Sequence, residues 1–157
     1  MVICYLICGS RGFTDYELIS FYLASVVERN TDADRHTLFI QGGCPDSADE
    51  VTEEWCSWHE WPCLRWPARW QYGKHGTGEG PSRNERMGNF LKRLIRSEIG
   101  YGEILAFWDG KSKGTLGMME IGKRLNIRTT YVLPNGKHEV FHEPIPKSDI
   151  IFTISSD

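Results

Sequence analysis

The sequence predicts a single α/β domain built on a doubly wound parallel sheet. Short runs rich in β-favouring apolar residues alternate with stretches whose apolar residues recur at three- and four-residue spacing. Nearly every run ends in a glycine-containing loop that leads straight into the next helical stretch, the pattern of parallel strands joined by crossover helices. A length of 157 residues fits one domain with a core large enough to fold without disulfides.

Val2 to Cys8 reads as a buried strand, broken by Gly9-Ser10-Arg11-Gly12, with a helix starting at Asp15. Leu18, Ile19, Tyr22, Leu23, Val26 and Val27 place one face of that helix on a sheet, and Asn30 to Arg35 is a polar turn. Thr37 to Gln41 is a second strand, Gly42 to Asp46 its tight loop, and Ser47 to Trp58 a helix capped by Ser or Asp. Trp61 to Trp66 suits an edge strand, because Pro62 lacks a ladder donor and Pro67 stops the run. Ala68 to Gly80 has no periodicity and reads as a long surface loop, a candidate lid. Ser82 to Ser97 carries the stripe Met87, Phe90, Leu91, Leu94 and Ile95, and Gly100 to Gly102 reads as a turn. Glu103 to Trp108 is a strand, Asp109 to Thr115 a loop, and Met118, Met119, Ile121, Gly122 and Leu125 mark a further helix before a last buried strand, Arg128 to Leu133. Beyond Pro134, Asn135-Gly136 is a hairpin signal, followed by Val140-Phe141 and Ile150-Ile151-Phe152, so a C-terminal edge hairpin is expected. The whole reads as a Rossmann-like sheet over 1–133, with 134–157 an extension packed on the same domain.

A net charge of −3 provides no broad positive field for a nucleic-acid backbone, which makes nucleic acid a secondary reading. Five cysteines, odd in number and without paired C-x-x-C knuckles, argue against a zinc site and against a complete disulfide framework; reduced, mostly buried thiols are expected. No metal and no cofactor is expected. Val2–Cys8 has no basic leader and falls far short of the roughly 20 residues of a membrane span. A cytoplasmic protein is expected, with no membrane partner, and homo-oligomerisation is left open.

In such a sheet the strand-to-helix loops open at one edge, so four of them converge. Gly9-Ser10-Arg11-Gly12 can bring backbone amides to an anion while Ser10 and Arg11 add donors; a tight turn with a solvated arginine explains it equally well. Gly42-Gly43 precedes Asp46 and Asp49 at a helix start, where carboxylates can take ribose hydroxyls or simply cap the helix. Gly80-Pro81-Ser82-Arg83-Asn84 opens a third helix, with Arg83 a phosphate clamp and Asn84 orienting a base, sugar or backbone; the plain alternative pairs Arg83 with Glu79 or Glu85. Asp109-Gly110 leads into Lys111-Ser112-Lys113-Gly114-Thr115, where Gly114 and Thr115 stand at a fourth helix start.

That last loop does not satisfy the P-loop pattern, and no G-x-G-x-x-G fingerprint is present, so neither ATP hydrolysis nor an ordinary dinucleotide dehydrogenase is implied. The five histidines are scattered and read as structural or solvated. The tryptophans read as packing residues, with Trp70 in the long loop left open.

Taken in order, Gly9 to Asp15, Gly42-Gly43 through Ala48-Asp49, Trp55, Gly80 to Met87, and Ala106 to Gly110 with Gly114-Thr115 resemble the YspA-like, cpYpsA-related branch of the SLOG superfamily. The resemblance spans residues 1 to about 133. It implies a Rossmann-like fold that senses or processes nucleotide-derived ligands, in bacteria or their phages, hence in the host cytoplasm if phage-encoded. It places Ser10, Arg11, Gly43, Asp49, Arg83, Asn84, Gly114 and Thr115 around the ligand. Related phosphoribohydrolases carry a catalytic Glu three residues after the motif's Thr, where this chain has Met118. Glu120 lies two residues further on, turned by roughly 200° on a helix, and should not face the same site.

Three functions compete. The leading expectation is a sensor or sequestering protein for a signalling nucleotide such as an ADP-ribose derivative. The alternative is a hydrolase or transferase at an N-glycosidic bond, with Asp49 or Glu120 as the catalytic carboxylate. A nucleic-acid factor using the basic Arg83–Arg96 helix is the third, set against the Glu85 and Glu98 that the same helix is expected to carry, which suit an amphipathic surface element better.

Overall fold

A computed structural model describes residues 1–32, 34–67, 79–97 and 100–146 of the chain. Ten elements follow one another: β1 (Val2–Gly9), α1 (Tyr16–Arg29), β2 (His36–Gln41), α2 (Ala48–His59), β3 (Cys63–Arg65), α3 (Glu79–Arg96), β4 (Gly100–Phe107), α4 (Lys113–Arg124), β5 (Thr129–Val132) and β6 (His138–His142). They form one six-stranded sheet in the order β3-β2-β1-β4-β5-β6. The first five strands are parallel and β6 runs antiparallel to β5. The fold is the Rossmann-like α/β domain the sequence predicts.

Strand β1 lies at the centre because its residues are apolar on both faces. Ile3, Tyr5 and Ile7 point into one core with Ile19, Leu23 and Trp55 of α1 and α2. Cys4, Leu6 and Cys8 point into the other, with Met87 and Leu91 of α3 and Met118 of α4. Period-2 alternation in one strand thus serves two helical layers, and each large side chain fully buried there contributes about 1.5–3 kcal/mol. Asp15 caps α1 by accepting the Leu18 N–H at 3.1 Å, and Ser47, rather than Asp46, caps α2 by accepting the Asp49 N–H at 3.1 Å.

The proline-flanked segment forms a short edge strand, β3, paired among the described residues with β2 alone. The Asn135-Gly136 turn is also present: Asn135 accepts the Lys137 N–H at 2.9 Å, Gly136 has φ of +87°, and β6 returns along β5. Two expectations change. Gly100 to Gly102 belong to β4 instead of a turn, because α3 crosses that strand too closely for side chains: a Cβ on Gly102 would lie 2.2 Å from Leu91 Cδ1, and one on Gly100 2.4 Å from the Leu94 carbonyl. Helix α3 begins at Glu79, so Pro81 occupies its first turn, where no N–H is missed. Of the loop expected over Ala68 to Gly80, Glu79 and Gly80 belong to α3 instead, while 68–78, with Trp70, and the apolar Ile150–Phe152 stretch lie outside the described residues. Among the described residues, no helix is long and apolar enough to cross a membrane.

Strand order reverses between β1 and β4, whose following loops run to opposite layers, α1 on one side and α4 on the other. Such a reversal leaves a crevice at the carboxyl ends of the strands.

Candidate functional site

A cleft of about 590 Å³ opens at this crevice, bounded by the end of β1, the loop after β2 and the first turns of α2, α3 and α4. Three helix N-termini therefore face one space, adding partial positive charge to the exposed Arg11 and Lys113 on its wall. Among the described residues, no His, Cys, Asp or Glu side chains form a cluster of three that could hold a metal ion.

The loops after β1 and β4 are stapled together by Ser10. This side chain is fully buried; its hydroxyl accepts the Asp109 N–H at 3.1 Å and lies 3.4 Å from Thr115 Oγ1. Asp109 in turn accepts the N–H groups of Lys111 and Ser112, both at 2.8 Å, and these backbone donors hold its carboxyl below the usual range. Gly110 takes φ of +84° within that turn. Ser10, Asp109 and Gly110 shape the wall without lining it, whereas Gly9, Arg11, Gly114 and Thr115 line it directly.

Opposite them, Arg83 reaches from α3 to the loop after β2. Only 7% exposed, its guanidinium donates through Nη1 to the Gly42 carbonyl, through Nε to Asn84 Oδ1 at 2.9 Å and through Nη2 to Cys44 Sγ at 3.4 Å. Glu85, the partner a surface arginine would have taken, pairs with Arg124. Glycine at 42 lets the guanidinium lie against the backbone, since a Cβ there would lie 2.4 Å from Arg83 Nη1 and the arginine would have to shift. These contacts occupy three of the five guanidinium N–H donors; the other two have no partner among the described residues, and the side chain lines the cleft.

Asp49, the second residue of α2, is 3% exposed and lines the same cleft. Its Oδ2 accepts the Cys44 N–H at 3.1 Å, while its Oδ1 has no hydrogen-bond partner among the described residues. Burial pushes its pKa up to about 6, against the opposing pull of the Cys44 N–H and the Arg83 charge. An acceptor left unmade in such a place costs on the order of 1–3 kcal/mol, more if charged, and calls for a donor.

The remaining sequence-predicted residues sit elsewhere. Gly42 forms the Arg83 contact behind the wall. Gly43, with φ of +73°, approaches Arg65 rather than the cleft, its would-be Cβ lying 2.6 Å from Arg65 Nε. Asp46 is exposed, has φ of +54°, and binds back to the chain through Gly12 and Glu50. Asn84 lines the cleft and orients Arg83. Glu120 is exposed on α4 and outside the lining, whereas Met118 is fully buried within it.

Sequence reasoning missed the apolar wall. Met87, Met118 and Ile121 line the cleft between α3 and α4, next to Gly114 and Gly117, where a Cβ would meet nothing within 4 Å. Two glycines in the first half of α4 were the available signal, since each costs about 1 kcal/mol of helix stability relative to alanine. Cys44 was missed as well, though it directly follows Gly42-Gly43.

No curated protein matches the chain. The loops after β1 and β2, helix α2 and strand β3 all fall within residues 5–73, which match the family model of the YspA, cpYpsA-related SLOG family.

Proposed function

We propose that the cleft binds a nucleotide-derived phosphate ligand and that the protein acts as a sensor or sequestering protein for a signalling nucleotide, such as an ADP-ribose derivative. The observation that carries this reading is that Asp49 Oδ1, buried, and two N–H groups of the Arg83 guanidinium, all on residues that line the cleft, have no hydrogen-bond partner among the described residues. A ribose hydroxyl supplies the donor that Asp49 needs, and a phosphate oxygen takes the arginine donors. The helix N-termini and Arg11 add to the attraction for an anion, and the Met87–Met118 wall suits an uncharged ring. The match of residues 5–73 to the SLOG family model supports the same class of ligand.

A second reading rests on Asp49 alone. A carboxyl group with a pKa near 6 is suited to general acid–base work at an N-glycosidic bond. Against it, Met118 occupies the position of the hydrolytic glutamate and Glu120 is turned away.

The test is calorimetric titration with a panel of nucleotides and nucleotide sugars, followed by chromatography of the recovered ligand. Saturable binding with the ligand recovered intact is expected. Steady release of free base would move the assignment to the hydrolase, and absence of binding by every phosphorylated member would overturn both.

A further inference from the structure

The backbone of Cys44 is pinned on both sides to the start of α2. Its N–H donates to Asp49 Oδ2 at 3.1 Å, and its carbonyl accepts the Ser47 hydroxyl at 2.9 Å. The half-buried side chain held in this way lines the cleft, and Arg83 Nη2 donates to its Sγ at 3.4 Å. The same guanidinium has two further N–H groups without a partner among the described residues.

A separate observation points into the cleft from the other side of Cys44. Asp49 holds the Cys44 N–H with one carboxylate oxygen, while the other, Oδ1, is buried and has no donor among the described residues. Beside one thiol, the cleft therefore offers N–H donors that lack an acceptor and a carboxylate oxygen that lacks a donor. A hydroperoxide answers both with two adjacent oxygens, one accepting from Arg83 and one donating its O–H to Asp49.

The other cysteines stand in different surroundings. Cys4, Cys8 and Cys56 are buried, and burial pushes the Cys4 thiol up to about 12 and the Cys8 thiol up as well. Cys63 is half-buried like Cys44, yet it lies outside the cleft lining, and the side-chain donor near its Sγ is the neutral Gln41 amide at 3.9 Å. Exposure alone does not separate Cys44 from Cys63; the charged neighbours do.

We propose that Cys44 is a hydroperoxide-reactive thiol, oxidised to sulfenic acid within the cleft, with Arg83 and Asp49 positioning the peroxide. The thiolate is the reacting form, and its sulfur attacks one peroxide oxygen. An S–O bond forms, the O–O bond breaks, and the second oxygen leaves as hydroxide, held by the remaining Arg83 donors until it takes up the proton that the thiol gave up. One thiol and one hydrogen peroxide become one sulfenic acid and one water; sulfur is oxidised by two electrons and the peroxide reduced by two. This step is independent of the nucleotide reading above, because no nucleotide takes part in it or in its test.

The experiment exposes full-length, reduced protein to hydrogen peroxide in the presence of dimedone, which traps sulfenic acid as a stable thioether, and maps the peptides by mass over time. In the wild-type protein the adduct on Cys44 should accumulate about tenfold faster than that on Cys63. Labelling of Cys63 at the same rate as Cys44, or faster, overturns the proposal, and this arm needs no variant. Arg83→Ala should slow the Cys44 adduct about tenfold while the Cys63 rate stays as in wild type, an internal standard that a general loosening of the fold would move. Undiminished labelling of Cys44 in that variant overturns the part given to Arg83.

Discussion

Ser10 Oγ lies 3.4 Å from Thr115 Oγ1 across 105 residues of chain, and the same oxygen accepts the Asp109 N–H. The two loops flanking the strand reversal are therefore one structural unit. Ser10→Ala leaves the Asp109 N–H without its acceptor at a half-covered position, and a loss of about 1–3 kcal/mol is expected. Urea denaturation reads it directly; a midpoint equal to wild type would show that the staple carries no stability.

Gly102 in β4 lies directly under Leu91 of α3. Gly102→Val should cost about 1–3 kcal/mol through overpacking, on top of any backbone effect. Trimming the neighbour should relieve it, so the double variant with Leu91→Ala should lose less than the two single losses combined. Strict additivity in thermal melts would place the cause elsewhere than this contact.

Asp49 makes stability depend on pH. Its folded pKa is raised from the ordinary 3.8 to about 6, so between these values the folded state holds more protons than the unfolded chain, and stability falls as pH rises. The penalty is absent below about pH 4 and complete above about pH 6, amounting to about 3 kcal/mol at most. Asp49→Asn keeps an oxygen for the Cys44 N–H and removes the charge. Its stability relative to wild type should therefore rise between pH 4 and pH 7, as followed by denaturant titration at each pH. A difference that stays constant over this range would contradict the burial argument.

The fold was legible because each element announced itself twice, by period and by punctuation. Ile3 to Cys8 is apolar on both faces, and glycine or a capping residue follows each central strand. Gly100 and Gly102 misled because glycine in a strand looks the same as glycine in a turn until the partner, here Leu91 and Leu94, is known. The same limit applied to the site. Arg83 and Asp49 stood out as charges at helix starts, yet the Gly42 contact that buries one and the missing donor of the other arise from residues far apart in sequence. Gly43 stood out as a glycine at a loop, but its φ of +73°, its place against Arg65 and its position outside the cleft lining are features no local pattern encodes.

Arg83 separates a phosphate site from a generic cleft. Its two uncommitted donors should be worth about 1.5–3 kcal/mol to a phosphorylated ligand, roughly a ten- to hundredfold change in affinity. The decisive measurement is a calorimetric comparison of one nucleotide from the panel and its dephosphorylated counterpart, on wild type and on Arg83→Ala, with thermal melts on the same preparations. We expect the variant to lose that factor for the phosphorylated ligand while the dephosphorylated one binds both proteins nearly alike. Equal losses for the two ligands, in a variant that melts as wild type does, would remove Arg83 from the phosphate and with it the assignment of this cleft.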